Sequence, residues 1–173
     1  TILSADSNSD DAGVDNRSDN QTRLVDIDSP EFSITLDGLA LKGGHAFDEH
    51  AMGGAIRCEG ASLSLNDVTL SSNHAVDGGA LAALNCELSL DHVTFTRNRA
   101  ELGGSGGALY ARGGSLTANR IYLLGNQAVS YGGGAFLPYL SELVLTNTVA
   151  VGNQAYVGGA MAIWSTDAAH LSH

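Results

Sequence analysis

Four groups of residues in this 173-residue chain have types and spacing that could do chemistry. The opening run Asp6-x-Asn8-x-Asp10-Asp11-Ala12-Gly13-Val14-Asp15 sets oxygen ligands at alternate positions, as a hard cation such as calcium needs. It is not an EF-hand loop, because its glycine comes eighth and Arg17 stands twelfth, and the same composition suits a solvated acidic loop. His45 and His74, with Asp48, His50 and Asp77 near them in sequence, have the side chains of a transition-metal site, or are two exposed corner histidines. Glu142 and Asp167 are a carboxylate pair of the kind glycoside chemistry uses. Lys42 is the only lysine, and no cationic neighbours are at hand to hold an acidic sugar, so no catalytic residue is assigned. Cys58 and Cys86 are either a disulfide or two small buried thiols.

Whether any of these groups meets depends on the elements that carry them, and those are repeated. Gly-Gly-Ala recurs at 53–55, 78–80, 106–108, 133–135 and 158–160, and Asn73, Asn98, Asn126 and Asn153 each follow twenty residues after the first glycine. The gap from Asn to the next glycine pair varies, so one corner of the repeat tolerates insertion. Apolar residues hold fixed offsets within each block: Ile56, Leu81, Leu109, Phe136 and Met161 after the alanine, then Leu63, Leu88, Leu116 and Leu143. Val68 and Leu70, Val93 and Phe95, Ile121 and Leu123 make a third alternating pair, with Thr148 and Ala150 as its weak version. Alternation with period two marks strands with one buried face.

Short strands repeated at this interval stack as coils of a solenoid, like residue over like residue. The spacing therefore predicts an all-β, right-handed parallel β-helix of about five to six coils of roughly 25–28 residues. Residues 1–23 form an acidic leading segment and 24–173 the β-helix, its last coil incomplete. The glycine pairs make a sharp corner. The asparagines make a structural ladder whose amides bond neighbouring turns. Leu24 to Gly44 reads as a degenerate first round, with Ile34, Leu36, Leu39 and Leu41 on the apolar columns and Gly44 in place of Asn.

Gly53-Gly54-Ala55-Ile56, Gly78-Gly79-Ala80-Leu81, Gly106-Gly107-Ala108-Leu109 and Phe95-Thr96-Arg97-Asn98 resemble the paired repeats of the chlamydial polymorphic membrane proteins and of related secreted bacterial β-helix proteins. The resemblance covers about residues 24–163 and implies an extracellular or cell-surface adhesin.

If the repeated columns fill the interior, function belongs to the outward residues. In the early rounds these are Ser64, Thr69, Ser71, Ser89, Thr94 and Thr96; in the later rounds Tyr122, Leu124, Val144, Val149 and Val151 replace them, and Tyr110, Leu137, Tyr139 and Trp164 follow the glycine blocks. Such a face suits a protein or surface partner, a second copy of the chain, or, through its aromatics, a glycan. The other reading is that the inward and outward alternation slips in these rounds, which would make some of the eight contact residues Tyr110, Tyr122, Leu124, Leu137, Tyr139, Val149, Val151 and Trp164 part of the core. A round left incomplete at the chain's end predicts a covering, either further polypeptide or the next copy in an end-to-end polymer.

The net charge of −11, with only 8 scattered Lys and Arg, argues against nucleic acid as a partner. No stretch of about 18 apolar residues crosses a bilayer, and no leader-like opening is present, so a secreted protein would be seen here in mature or excised form.

Overall fold

The computed structural model describes residues 1–5, 23–47 and 51–172, and all its regular structure is β. The strands β1 (Ile2–Ser4), β2 (Val25–Asp28), β3 (Ser33–Asp37), β4 (Ala40–Lys42), β5 (Ile56–Glu59), β6 (Ser62–Asn66), β7 (Thr69–Ser71) and β8 (His74–Ala75) lead into β9 (Leu81–Thr96). After it come β10 (Arg99–Ala100), β11 (Leu109–Leu124), β12 (Gln127–Ala128), β13 (Ala135–Pro138), β14 (Glu142–Val151), β15 (Met161–Trp164) and β16 (Ala169–Ser172). Every pairing between them is parallel, and each joins residues one round apart. The chain is a parallel β-helix. Numbering coils by their glycine corners, residues 53–77 form coil 2, 78–105 coil 3, 106–131 coil 4, 132–157 coil 5 and 158–172 coil 6, with 24–47 and 51–52 as the described part of coil 1.

Three faces run the length of the stack. The first holds β2, β5, β13, β15 and the opening residues of β9 and β11. The second holds β3, β6, β16, the middle of β9 and β11 and the first half of β14, and the third holds β1, β4, β7 and the last residues of β9, β11 and β14. A short ladder of β8, β10 and β12 leads to the glycine corner.

The inward columns are the expected ones. Leu63, Leu88, Leu116 and Leu143 lie directly over one another, as do Leu70, Phe95 and Leu123, and all are buried. A further column, Leu65, Leu90, Ala118 and Leu145, completes the core of the second face. Thr148 stands in the Ile121 column, its hydroxyl turned to the Thr146 carbonyl at 3.4 Å.

The glycine corner is steric in origin. Gly53, Gly78, Gly106, Gly132 and Gly158 all have φ between 60° and 67°, and a Cβ on any of them would come within 2.0–2.4 Å of the carbonyl oxygen three residues on. The other corners also turn through positive φ, at Asp67, His92, Arg120 and Asn147 and at Ser72 and Arg97, but there side chains are tolerated, and all but Ser72 are exposed. Gly38, in the corner that Asp67 occupies one coil later, has nothing within 4 Å of its would-be Cβ. Glycine is therefore required only where coils stack backbone to backbone.

Three expectations change. First, Ile2–Ser4 is not part of a leading loop, because it pairs with Ala40–Lys42 and adds a strand to the third face. Second, coil 1 is not the fixed block: Val25 pairs with Ile56 but Ser33 with Ser62, so two extra residues sit in the corner after β2. Third, the block of coil 5 begins at Gly132 rather than Gly133. Gly132 carries the positive φ, and Ala135, not Phe136, pairs with Leu109. An additional residue in the corner Tyr139–Leu140–Ser141 restores the register before Leu143.

Candidate functional site

The slip in coil 5 decides what the first face presents to solvent. Leu137 was expected outside; it is 1% exposed and in the core, in register with Ile163. Phe136, expected inside, takes the outward column instead, beside Tyr110 and Ala162. The neighbouring outward column holds Pro138 and Trp164.

These residues meet. Phe136 packs edge-on against Tyr110 at 5.7 Å and against Trp164 at 5.0 Å between ring centroids. Tyr131, in the segment just before the Gly132 corner, stacks on Phe136 at 5.4 Å and meets the Trp164 ring at 4.5 Å. Such offset and edge-to-face contacts let the ring quadrupoles attract, and each adds to what burial supplies. Phe136 lies at the centre and is 7% exposed, while Trp164 at the rim is 39% exposed.

Beside the cluster, the Arg112 guanidinium lies 5.9 Å from the centroid of the Tyr139 ring. Among the described residues no carboxylate lies within ion-pair distance of it, although Arg23, Arg57, Arg99 and Arg120 all have such partners. Burial raises the Tyr110 hydroxyl above the ordinary tyrosine range, the nearby Asp77 carboxylate raises it further, and Arg112 pulls the other way. Asp77 is itself raised by burial, which outweighs the hydrogen bond its Oδ1 accepts from the Ser105 N–H at 2.7 Å.

Tyr139 turns the corner after β13 with φ 59°, where other coils place Gly60, Asn85 or Ser165, and its ring is 56% exposed. On the third face, Val149 and Val151 are exposed while Tyr122 and Leu124 are half-buried, Tyr122 within 6.3 Å of the His92 ring. The outward neighbours of these residues one coil earlier are Thr94 and Thr96.

The asparagines form one continuous ladder. The Oδ1 of Asn98 accepts both the backbone N–H and the Nδ2 of Asn73 at 3.0 Å, and its own Nδ2 donates to the Leu70 carbonyl and to Asn126 Oδ1. Asn126 and Asn153 repeat the pattern, and Gly44 N–H caps it on Asn73 Oδ1. Cys58 and Cys86 are joined in a disulfide across coils 2 and 3, their Cα atoms 6.5 Å apart. This bridge clips the first face of one coil to the corner of the next.

His45 and His74 stack, with ring centroids 5.9 Å apart, but Phe47 lies 4.3 Å from His45 and Glu101 Oε1 is 3.9 Å from His74 Nε2. Asp48 and His50 lie outside the described residues, as do Asp6, Asn8, Asp10 and Asp15 of the acidic run. Among the described residues no three His, Cys, Asp or Glu side chains are placed to hold a metal. Glu142 and Asp167 do not share a column: Glu142 pairs with Ser115, whereas the Asp167 N–H bonds the Leu140 carbonyl, one position earlier in the round.

Tyr131 and Phe136 are the residues the spacing missed. The signal was the run Gly132-Gly133-Gly134, which allows the corner to begin at either of two glycines.

Stacked parallel coils, an amide ladder and an aromatic outer face define a β-helix repeat protein whose interior is uniform and whose surface is not. Residues 92–112 match the Chlamydia polymorphic membrane protein repeat. That segment runs from the corner at His92 through the Asn98 rung and the Gly106–Gly107 corner to Arg112, so it includes Tyr110. The match covers one repeat and agrees with the β-helix the coils form. No curated protein and no solved structure matches it. Among the described residues no helix is long and apolar enough to cross a membrane.

Proposed function

We propose that this chain is a non-catalytic adhesion module of a bacterial cell surface, making contact through the outward faces of coils 4 to 6. One observation carries the reading: the inward columns keep their chemistry from coil to coil, while the outward columns of the third face change from Ser and Thr to Tyr122, Leu124, Val149 and Val151, and the first face gathers aromatic rings in coils 4 to 6. A solvated face has no folding reason to change in that direction. The Cys58–Cys86 disulfide suits an oxidising location outside the cytoplasm.

The test is adhesion of protein-coated beads to host-cell monolayers. A variant carrying Tyr122→Thr, Leu124→Thr, Val149→Thr, Val151→Thr, Tyr139→Ser and Trp164→Thr should keep its β-sheet circular dichroism and lose adhesion. Full adhesion by the folded variant would remove the proposal. Light scattering over a concentration series separates contact between copies from contact with a foreign surface.

A further inference from the structure

We propose that the first face of coils 4 to 6 is a glycan-binding platform, in which sugar rings lie on Tyr139 and Trp164 and Arg112 donates hydrogen bonds to their oxygens. This names the ligand class of the adhesive face and rests on that reading.

Half of the chain's Phe, Trp and Tyr residues, namely Tyr110, Tyr131, Phe136, Tyr139 and Trp164, gather on this face. They divide into support and contact. Phe136 and Pro138 are buried, and the stacked Tyr131 and Phe136 rings both meet Trp164 edge-on, at 4.5 and 5.0 Å, which restricts the Trp164 ring before any ligand arrives.

Tyr139 is the second observation. At φ 59° it holds a left-handed conformation that side-chain-bearing residues rarely adopt. The equivalent corner of coil 6 uses Ser165, and coils 2 and 3 use Gly60 and Asn85. The Tyr139 ring is 56% exposed, so it contributes little to the core and is open to a ligand.

Arg112 supplies the polar half. Its guanidinium carries five N–H donors and lies against the Tyr139 ring with no carboxylate neutralising it among the described residues, in a chain of net charge −11. An apolar ring face beside outward N–H donors is complementary to a pyranose, which has a C–H face and a rim of hydroxyls.

A glycan needs less apolar area than a protein, whose stable interfaces cover about 800 Å² on each partner around an apolar centre. On this face the exposed rings are Tyr139 and Trp164, with Tyr110 and Tyr131 half-buried, Phe136 and Pro138 covered, and Ala82 and Leu84 of coil 3 next to Tyr110 and Arg112.

Trp164 is the only tryptophan, so its fluorescence reports the platform directly. The full chain is screened on a printed glycan array and titrated with chitohexaose, cellohexaose, oligogalacturonate and any array hit. The expected result is a saturable change in Trp164 emission with at least one glycan. Tyr139→Ser should weaken that binding about tenfold and Arg112→Gln by a similar factor, with the melting temperature held or raised. Silence on the array and in every titration, or equal affinity in Tyr139→Ser, overturns the proposal. Bead adhesion is measured in parallel on cells before and after periodate oxidation of their glycans. Adhesion that survives oxidation but is lost in Tyr139→Ser overturns the glycan and leaves the adhesive face standing. Adhesion indifferent to all six outer-face substitutions overturns the adhesive reading itself.

Discussion

Coils 2 and 3 and coils 4 to 6 have the same inside and different outsides. In both regions the Asn rung, the first glycine of the corner and the leucine column of the second face occupy identical places. Outside, coil 2 places Arg57 and Glu59 on the first face and coil 3 the smaller Ala82 and Leu84, whereas coil 4 has Tyr110 and Arg112, coil 5 Phe136 and Pro138, and coil 6 Ala162 and Trp164. The third face changes from Thr69 and Ser71, then Thr94 and Thr96, to Tyr122 and Leu124, then Val149 and Val151. Because a solenoid's stability is close to a sum of coils and nearest-neighbour contacts, a repeated interior frees each coil's exterior to vary. Stability should thus track the interior in either region, and binding only the exterior of the second.

The largest effect is expected from the shared interior. Asn98→Leu strands the Asn73 N–H and the Leu70 carbonyl between coils, and should cost about 3 kcal/mol or more in urea unfolding. Asn153→Leu, whose amide is only part-buried, should cost less. Equal costs would mean that the ladder is not what joins the two regions.

The disulfide should matter next, and only on one side. Cys58 and Cys86 are 28 residues apart, and replacing both with alanine should cost about 3 kcal/mol. Hydrogen exchange should show the loss in coils 2 and 3 with coils 5 and 6 little changed. Uniform loss of protection would show that the regions unfold together.

Exchanging exteriors should be milder. Tyr122→Thr with Leu124→Thr gives coil 4 the outer residues of coil 3 and should move stability by about 1 kcal/mol or less. A melting curve that collapses would place these side chains in the fold rather than on the contact face.

The smallest effect concerns Asp77, the last residue of coil 2, which accepts the N–H of Ser105 at the end of coil 3. Its folded pKa is raised by burial, so it favours the folded state at pH below the unfolded value of about 3.9, and that contribution is lost as pH rises through the folded value. Asp77→Asn keeps an acceptor for the Ser105 N–H and removes the charge. It should flatten the acid side of the pH–stability curve and leave the protein as stable or slightly more so at neutral pH. A loss of stability at neutral pH would show that the ionised carboxylate is favoured at this position.

Much of the scaffold is legible in the residues. The Asn and Leu columns could be placed because each has a requirement no other position shares: an amide that both donates and accepts between coils, and a branched side chain over its own copy. The candidate face was legible only in part. Tyr110, Tyr139 and Trp164 stand out as aromatic residues beside the glycine blocks, while Leu137 is assigned outward, Phe136 inward, and Tyr131 carries no signal. A single residue separates those assignments, since moving a strand by one exchanges its two faces.

Composition and spacing by themselves determined that this chain is a stack of parallel β-coils, where its core columns run, and that its later coils have an apolar exterior. They could do so because period-two burial and a recurring glycine corner are local demands, met within each round. Tertiary structure alone decided which of Gly132 and Gly133 turns the corner. Either glycine can adopt positive φ, and the choice is made by stacking on the coils before and after, with the surplus residue taken up at Tyr139–Leu140–Ser141. That choice put Leu137 into the core and Phe136 under Trp164, and so built the aromatic face.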